Sequence, residues 1–432
     1  MDLDARPGSR LRRWYRTSLA GHHDFRQLWV GDTVSQFGTQ VGGIALELLA
    51  VVVLGASAFQ MGLLGTFENL AFLLVGLPAG AWVDRMRKRQ VLIWGDVVRG
   101  AALLTLPVAW LLDVLTFPLV LVVATVMGVA TVFFDVAYQS YLPSLVPAHR
   151  ISEGNAKLQV AHSAAQVMGP GVGGVLVRLL GAPLVLLVDA LSFLGSVVFT
   201  LRIRHREEPV PRQGRRRLHV EIGEGLGFVL HQPLLRRIVA TTSISNLFSS
   251  IGGALLTLYA VRELGVGAAG LGLALSLGSF GGLLGALTAE AVIRRVGEGR
   301  AIALSLLPTL PAVALVPLSA GSPPPVAVAL LAVSGAVSGV GIIVYNVAQV
   351  SFRQRLCPAP MLGRMNASVR FVVWGTMPVG AFVGGVVATG LSVRTALWIG
   401  VAGQCLAVLP VLLSPLVRMR DLPRHLDEHA RP

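Results

Sequence analysis

The 432-residue sequence predicts an all-α membrane protein: twelve transmembrane helices in two pseudo-symmetric six-helix bundles. Three observations carry that expectation: an apolar composition, twelve apolar runs with short polar connections, and a repeat at half the chain length. Hydrophobic residues fill 54% of the positions and charged residues 13%. That is about half the charged share of soluble domains, too little to coat a surface facing water. Crossing ~30 Å of hydrocarbon takes ~20 apolar residues in a helix. Runs bounded by charges or Pro/Gly clusters fall at 26–53, 58–82, 91–113, 116–140, 155–179, 183–201, 234–261, 268–292, 301–319, 325–349, 364–389 and 394–415.

The formal charge of +14 resides largely in the connections. With both termini inside, the inner connections hold Arg85, Arg87, Lys88 and Arg89 after span 2, and Arg150 and Lys157 after span 4. They also hold a run from Arg202 to Arg237 between spans 6 and 7, then Arg294, Arg295 and Arg300 after span 8. Arg353, Arg355, Arg364 and Arg370 surround the turn between spans 10 and 11. The outer side receives Arg178, Arg262 and Arg394. The positive-inside rule makes the basic side cytoplasmic, so the charge needs no nucleic-acid partner. The expected location is the inner (plasma) membrane, with both termini cytoplasmic and the chain acting as a monomer. The basic amino terminus (Arg6, Arg10, Arg12, Arg13, Arg16) precedes a long apolar span without a small-residue cleavage pattern, which indicates a retained first helix. Cys357 and Cys405 lie in different segments and form no metal or redox spacing, so no disulfide, metal or cofactor is expected.

An internal repeat supplies the two-bundle arrangement. Leu145-Val-Pro-Ala-His-Arg-Ile-Ser-Glu-Gly-Asn155-Ala aligns with Leu356-Cys-Pro-Ala-Pro-Met-Leu-Gly-Arg-Met-Asn366-Ala at an offset of 211 residues (356 − 145). The same offset pairs Arg26 with Arg237 at the starts of spans 1 and 7. Gly169-Pro170-Gly-Val-Gly173-Gly174 in span 5 is echoed, with drifted spacing, by Pro378-Val-Gly-Ala-Phe-Val-Gly384-Gly385 in span 11. The expected organisation is a first bundle at 1–201, a cytoplasmic linker at 202–230 and a second bundle at 231–432. Parallel repeats of this kind are the architecture of transporters that rock about a site between the halves.

The loop after span 2 reads Gly80-Ala-Trp-Val-Asp84-Arg85-Met-Arg87-Lys88-Arg89. It resembles the signature loop of the major facilitator superfamily, with Arg87 standing where a second glycine is common. The resemblance implies the major facilitator fold and a cytoplasmic latch that holds the halves together when the outside is open. Gly80 would allow close helix approach there, and Asp84 would meet a helix amino terminus or nearby arginines. The second-half counterpart, Arg294-Arg295-Val-Gly297, has no acidic residue. A plain positive-inside anchor is the alternative reading of the same loop. The Gly169-Pro170-Gly171-Val-Gly173-Gly174 segment is similar to the span 5 motif of exporters in that superfamily, where proline bends the helix and glycine permits close packing.

Over most of its length the chain resembles the actinobacterial-type exporters grouped with macrolide-efflux and enterobactin-export proteins. The carriers are Phe25-Arg-Gln-Leu-Trp29, Asp96-Val-Val-Arg99, Phe134-Asp-Val-Ala-Tyr-Gln-Ser-Tyr-Leu-Pro143 and Asp189-Ala-Leu-Ser-Phe193. The resemblance implies secondary active export of a small amphipathic molecule (a drug, macrolide or siderophore) by alternating access, driven by a proton gradient. An importer or lipid flippase of the same fold is the alternative. Many proton-coupled relatives carry an arginine in span 4 shortly before a glycine; here Ala124-Thr-Val-Met precedes Gly128, so that route is unsupported. No Gly-x-x-x-x-Gly-Lys-Ser/Thr loop is present for ATP hydrolysis. The lone intramembrane His162 gives no catalytic or metal pattern, and an enzyme is not expected.

Ionisable residues inside spans are costly and mark function by default. They are Asp32, Glu47, Glu68, Asp96, Arg99, Asp135, His162, Asp189 and Glu290. Glu68 lies about ten residues into its span, ~15 Å at helical rise and near the midplane. It is expected to bind a cationic substrate or carry the coupling proton, helped by Asp32, Glu47 or His162. Asp96 and Arg99 stand at i and i+3 and can neutralise each other. Asp32, Asp135 and Glu290 are placed near the cytoplasmic ends, and the resemblance puts Asp189 in a helix outside the central cavity.

Overall fold

A computed structural model describes residues 18–83, 85–205, 207, 218–358 and 361–420. The described residues are helical apart from short connections. The helices are α1 (His23–Leu48, continued by a π turn at Leu49–Val53), α2 (Ala58–Leu74), α3 (Gly76–Val83), α4 (Lys88–Leu111), α5 (Phe117–Leu145), α6 (Ile151–Leu180) and α7 (Ala182–Leu201). After them come α8 (Leu218–His231), α9 (Pro233–Arg262), α10 (Ala268–Val296), α11 (Glu298–Leu304), α12 (Thr309–Leu318), α13 (Pro324–Leu356), α14 (Leu362–Gly390) and α15 (Val393–Leu412). Eleven helices or helix pairs are long and apolar enough to cross a membrane, and α2 with α3 makes a twelfth crossing.

Two crossings are broken, and proline explains both. Pro78 has no N–H to give the carbonyl of Leu74, and the helix divides at Val75. Pro308 likewise cannot donate to the Leu304 carbonyl, which accepts from the Leu307 N–H at 3.1 Å in a tighter turn, and α11 separates from α12 there. At the start of α2, Ser57 and Gln60 cap each other reciprocally at 3.2 and 2.8 Å. Gly55, with φ of +63°, makes the turn from α1 that a side chain would strain.

The repeat governs packing. In the first half α1 lies against α6 and α7, and α4 against α5 and α7; in the second, α9 lies against α14 and α15. The halves meet through α2 with α14 and α6 with α10. Arg204 and His205 just after α7 donate backbone N–H to the Asp24 carboxylate at 3.0 Å. Residues 218–230 of the expected linker belong to α8, whose Gly225 approaches the Arg364 carbonyl on α14 and whose Glu224 pairs with Arg364. The near side of this connection therefore rides on the first half and α8 rides on the second.

The two ends of the molecule differ. The end carrying α8 and the start of α1 is the linker end, and the end where α1 passes into α2 is the far end. One large apolar core joins both halves at the far end, from Ile44, Leu48 and Met61 to Leu258, Tyr259 and Leu271. Toward the linker end the core divides. One cluster around Phe25, Leu92 and Tyr141 belongs to the first half, and another around Ile238, Phe352 and Met365 to the second. The molecule is closed at the far end and parted at the linker end.

Candidate transport cavity

A cavity of about 730 Å3 lies between the halves on the linker side. The first half contributes Phe72, Gly80, Asp135 and Gln139; the second contributes Asn246, Gln349, Arg353, Arg370 and Trp374. Thr242, Asn246 and Asn346 also line a smaller cavity of about 260 Å3 inside the second half, so the two adjoin. Its wall carries Ser245, Ser249, Ser338, Tyr345 and Gln404 beside Phe248, Val313 and Leu397, and no charged residue. A third cavity of about 550 Å3 sits between α1 and α6 on one side and α10 and α13 on the other. Gln40, Gln166 and Pro170 face Ser279 and Ser334 there.

Two close crossings seal the far end. A Cβ at Gly62 would lie 2.5 Å from the Gly385 Cα, and one at Gly272 would lie 2.3 Å from the Pro170 carbonyl oxygen. Thr66 Oγ1 donates to the Pro378 carbonyl at 3.2 Å, and the Gly171 N–H donates to Ser276 Oγ at 2.7 Å. The glycine motif of α6 thus has two faces. Gly169 and Gly173 bring α1 close at Gln40 and Val41, while Gly174 admits α10. Its partner in α14 repeats the division: Gly384 meets Ile251 of α9 and Gly385 meets Gly62 across the halves. The paired glycines keep the 211-residue offset (384 − 173), and only the proline has drifted.

Glu47 supplies a polar contact at the same end. Its carboxylate accepts a hydrogen bond from Thr257 Oγ1, joining α1 to α9 within the shared core. Thr257→Val leaves that carboxyl without its donor, a cost of about 1–3 kcal/mol. The far end is then expected to open more often, read as faster labelling of a cysteine placed at Leu264 by a membrane-impermeant maleimide. An unchanged rate would show that the bond does not hold this end shut.

The remaining sequence candidates separate into groups. Glu68 lies ten residues along α2, near enough to Glu47 for their charges to repel, and its backbone carbonyl packs against Gly128 of α5. Asp32, Gln36 and His162 form a polar ladder inside the first half. Gln36 lies 3.5 Å from Asp32, and its Oε1 is 3.1 Å from His162 Nδ1. Gln40 and Gln166 continue the line toward the midplane at i+4 from Gln36 and His162. These glutamines carry no charge, so ionisable residues alone do not mark them; their signal is a polar side chain every fourth residue in an apolar run.

Asp96 and Arg99 form a buried ion pair, with the guanidinium 4.0 Å from the Phe134 ring centroid and 4.6 Å from that of Phe193. Asp189 accepts from Ser192 at 3.2 Å and fills the space left by Gly38 and Gly42 of α1. Glu290 is exposed and pairs with Arg294 at 2.7 Å.

The structure corrects three positions. Asp32 is not near a helix end, because its helix begins at His23, nine residues earlier, and the residue is buried. Asp135 is not within a turn or two of its helix end, because α5 runs on to Leu145 and places it in the cavity wall. Arg353 is not in the connection after span 10 either, because α13 continues to Leu356; Arg370 lies on α14, and both line the cavity. In the signature loop, Asp84 lies outside the described residues. Nothing lies within 4 Å of a Cβ built at Gly80, so the close approach expected there is absent with the linker end parted. Arg85 and Arg87 are exposed. Arg89 instead donates to the carbonyls of Thr200 and Leu201 at the end of α7, at 3.2 and 2.7 Å. The Lys88 and Arg89 N–H groups donate to the Glu207 carboxylate.

Comparison with known proteins agrees with this geometry. The bacterial homologue of the iron transporter ferroportin in its inward-facing state superposes with a TM-score of 0.73 at 18% identity, covering 90% of this chain and 98% of that one. The nucleoside transporter NupG superposes with a TM-score of 0.72 at 14% identity, covering 90% and 98%. The multidrug efflux pump Tap of Mycolicibacterium fortuitum is 26% identical over 392 residues, 88% of this chain and 93% of the pump. Tap of Mycobacterium tuberculosis is 27% identical over 389 residues, 86% and 88% of the two chains. A family model described as transmembrane secretion effector matches residues 18–430. Twelve crossings, two repeated halves and a family match over nearly the whole length lead to one conclusion: the chain belongs to the transmembrane secretion effector family of major facilitator secondary transporters.

Proposed function

We propose that this transporter exports a small amphipathic molecule across the plasma membrane by alternating access, drawing on a proton gradient. The observation that carries the reading is the cavity between the halves, parted at the linker end and sealed at the far end. The excess of Arg and Lys in the linker-end connections over the far end argues that the linker end is cytoplasmic. The cavity would then take substrate from inside the cell. The moving bodies are residues 1–201 and 231–432, joined through 202–230, and they would rock about the α2–α14 and α6–α10 crossings. The similarity to proteins named multidrug efflux pumps supports export of an amphipathic substrate.

Glu68 is the proposed coupling group, with Glu47 near it and the Asp32, Gln36 and His162 ladder of the first half as its proposed helpers. A carboxyl held in the membrane interior is costly as a fixed charge, and exchange of its proton with substrate or with the far side gives it a use. A drug and siderophore susceptibility panel on a deletion strain identifies a compound to follow. In inverted vesicles with an imposed pH gradient, wild-type protein should then accumulate that compound, and Glu68→Gln should abolish pH-driven accumulation while the protein remains inserted. Full activity in that variant would remove Glu68 from the mechanism. Movement in the opposite direction would favour uptake.

A further inference from the structure

The arginines near the turn between α13 and α14 are not alike. Arg355 pairs with Glu298 and Arg364 pairs with Glu224, so each has a carboxylate of its own. Arg353 and Arg370 line the inter-half cavity instead, and among the described residues no carboxylate lies within ion-pair distance of either. They are close enough for their charges to repel. Arg353 Nε is buried and donates to nothing, and the Arg370 guanidinium lies 5.4 Å from the Trp374 ring centroid. The third charged residue in the lining is Asp135 on the opposite wall, near enough to attract Arg370 without pairing with it. The cavity wall therefore carries a net charge of +1, with both cations on the second half and Phe72, Phe371 and Trp374 in the same lining.

Holding two guanidinium groups together in a half-enclosed space is unfavourable unless something negative comes between them. Arg presents a planar fork of donors that matches a carboxylate or phosphate, and bonds to an ionised acceptor are about twice as strong as neutral ones. We propose that Arg353 and Arg370 form a subsite for the anionic group of an amphipathic ligand, whose ring or apolar body lies on Phe72, Phe371 and Trp374. Cavity residues of the first half meet the remainder of the molecule. The inference deepens the transport reading of this cavity and rests on it for its meaning. Its test is equilibrium binding, so it succeeds or fails without any transport being observed.

The probes share one aromatic body: 1-pyrenebutyrate, neutral 1-pyrenebutanol and cationic 1-pyrenebutylamine. Binding to the full chain in zwitterionic lipid nanodiscs is measured by equilibrium dialysis against protein-free nanodiscs. Wild-type protein should bind the butyrate about tenfold more tightly than the butanol, and the butylamine more weakly than either. Arg353→Gln and Arg370→Gln should each reduce that preference several-fold, and the double variant should lose it. Arg353→Lys with Arg370→Lys should retain part of it. Unchanged pyrenebutanol affinity in every variant shows that the cavity is intact. Phosphatidylglycerol competition that disappears in the double variant would identify a lipid headgroup as the anion source. Absence of competition would identify a soluble anion, and both results support the subsite. Equal wild-type affinity for butyrate and butanol, or a preference surviving in the double glutamine variant, would overturn it. Efflux of another compound by the same preparation would still leave the transport reading standing.

Discussion

Gly62→Val and Gly174→Val should each abolish transport while leaving the chain inserted and folded in the membrane. At Gly62 even a methyl group would lie 2.5 Å from the Gly385 Cα and 2.8 Å from the Ala381 carbonyl oxygen. At Gly174 it would lie 2.4 Å from the Ala268 carbonyl oxygen. These neighbours are backbone, so no side chain can turn away, and valine adds two further methyls. Membrane helices attract one another largely through close contact of this kind. Loss of both the approach and its packing should leave the far end unable to shut. Each half keeps its own core below these crossings, so insertion should survive. Gly43→Val is the control: nothing lies within 4 Å of its Cβ, and transport should be near normal. Vesicle transport and far-end cysteine labelling check the outcome together, with transport lost and labelling increased in the first two variants.

Arg99→Ala should be the most destabilising single change in the first half. Arg99 and Asp96 are both buried, and Arg99 fills the space between the Phe134 and Phe193 rings. Removing one member of a buried pair strands the other charge, typically at a cost of about 3–5 kcal/mol. A pair replaced on both sides by apolar residues of similar volume loses far less. Asp96→Leu with Arg99→Met should therefore recover most of the thermal stability lost by Arg99→Ala, and should retain transport because neither residue lines the three cavities described above. A stable Arg99→Ala would contradict the structural role of the pair, and a stable but inactive double variant would show that the pair acts in transport.

The twelve crossings were legible in the sequence because hydrocarbon imposes length and apolarity on each one. The repeat is legible because the segments ending at Asn155 and Asn366, and Arg26 and Arg237, keep one offset. Depth was harder to read. Apolar runs end where hydrocarbon ends, but α5 and α13 continue past that point, to Leu145 and Leu356, so Asp135 and Arg353 belong to the cavity instead of a connection. Charge alone also gave no way to separate Arg353 and Arg370 from Arg355 and Arg364; the separation comes from which residues find a carboxylate. The second-half cavity was missed because Thr242, Ser245, Asn246 and Ser249 are neutral, although their spacing of three or four marks one face of α9. The resemblance of its loop implies a latch role for Arg89, whereas its side chain reaches back to the carbonyl end of α7.

Cross-linking the far end most directly tests the rocking of two halves. Phe59 on α2 and Phe382 on α14 face each other with ring centroids 6.0 Å apart, and both are partly exposed. With Cys357 and Cys405 replaced by serine, Phe59→Cys and Phe382→Cys are bridged through disulfides by a membrane-permeant bis-methanethiosulfonate in inverted vesicles. Alternating access requires the bridged protein to be silent and transport to return when the bridge is reduced. Transport at the full rate with the bridge intact would contradict it.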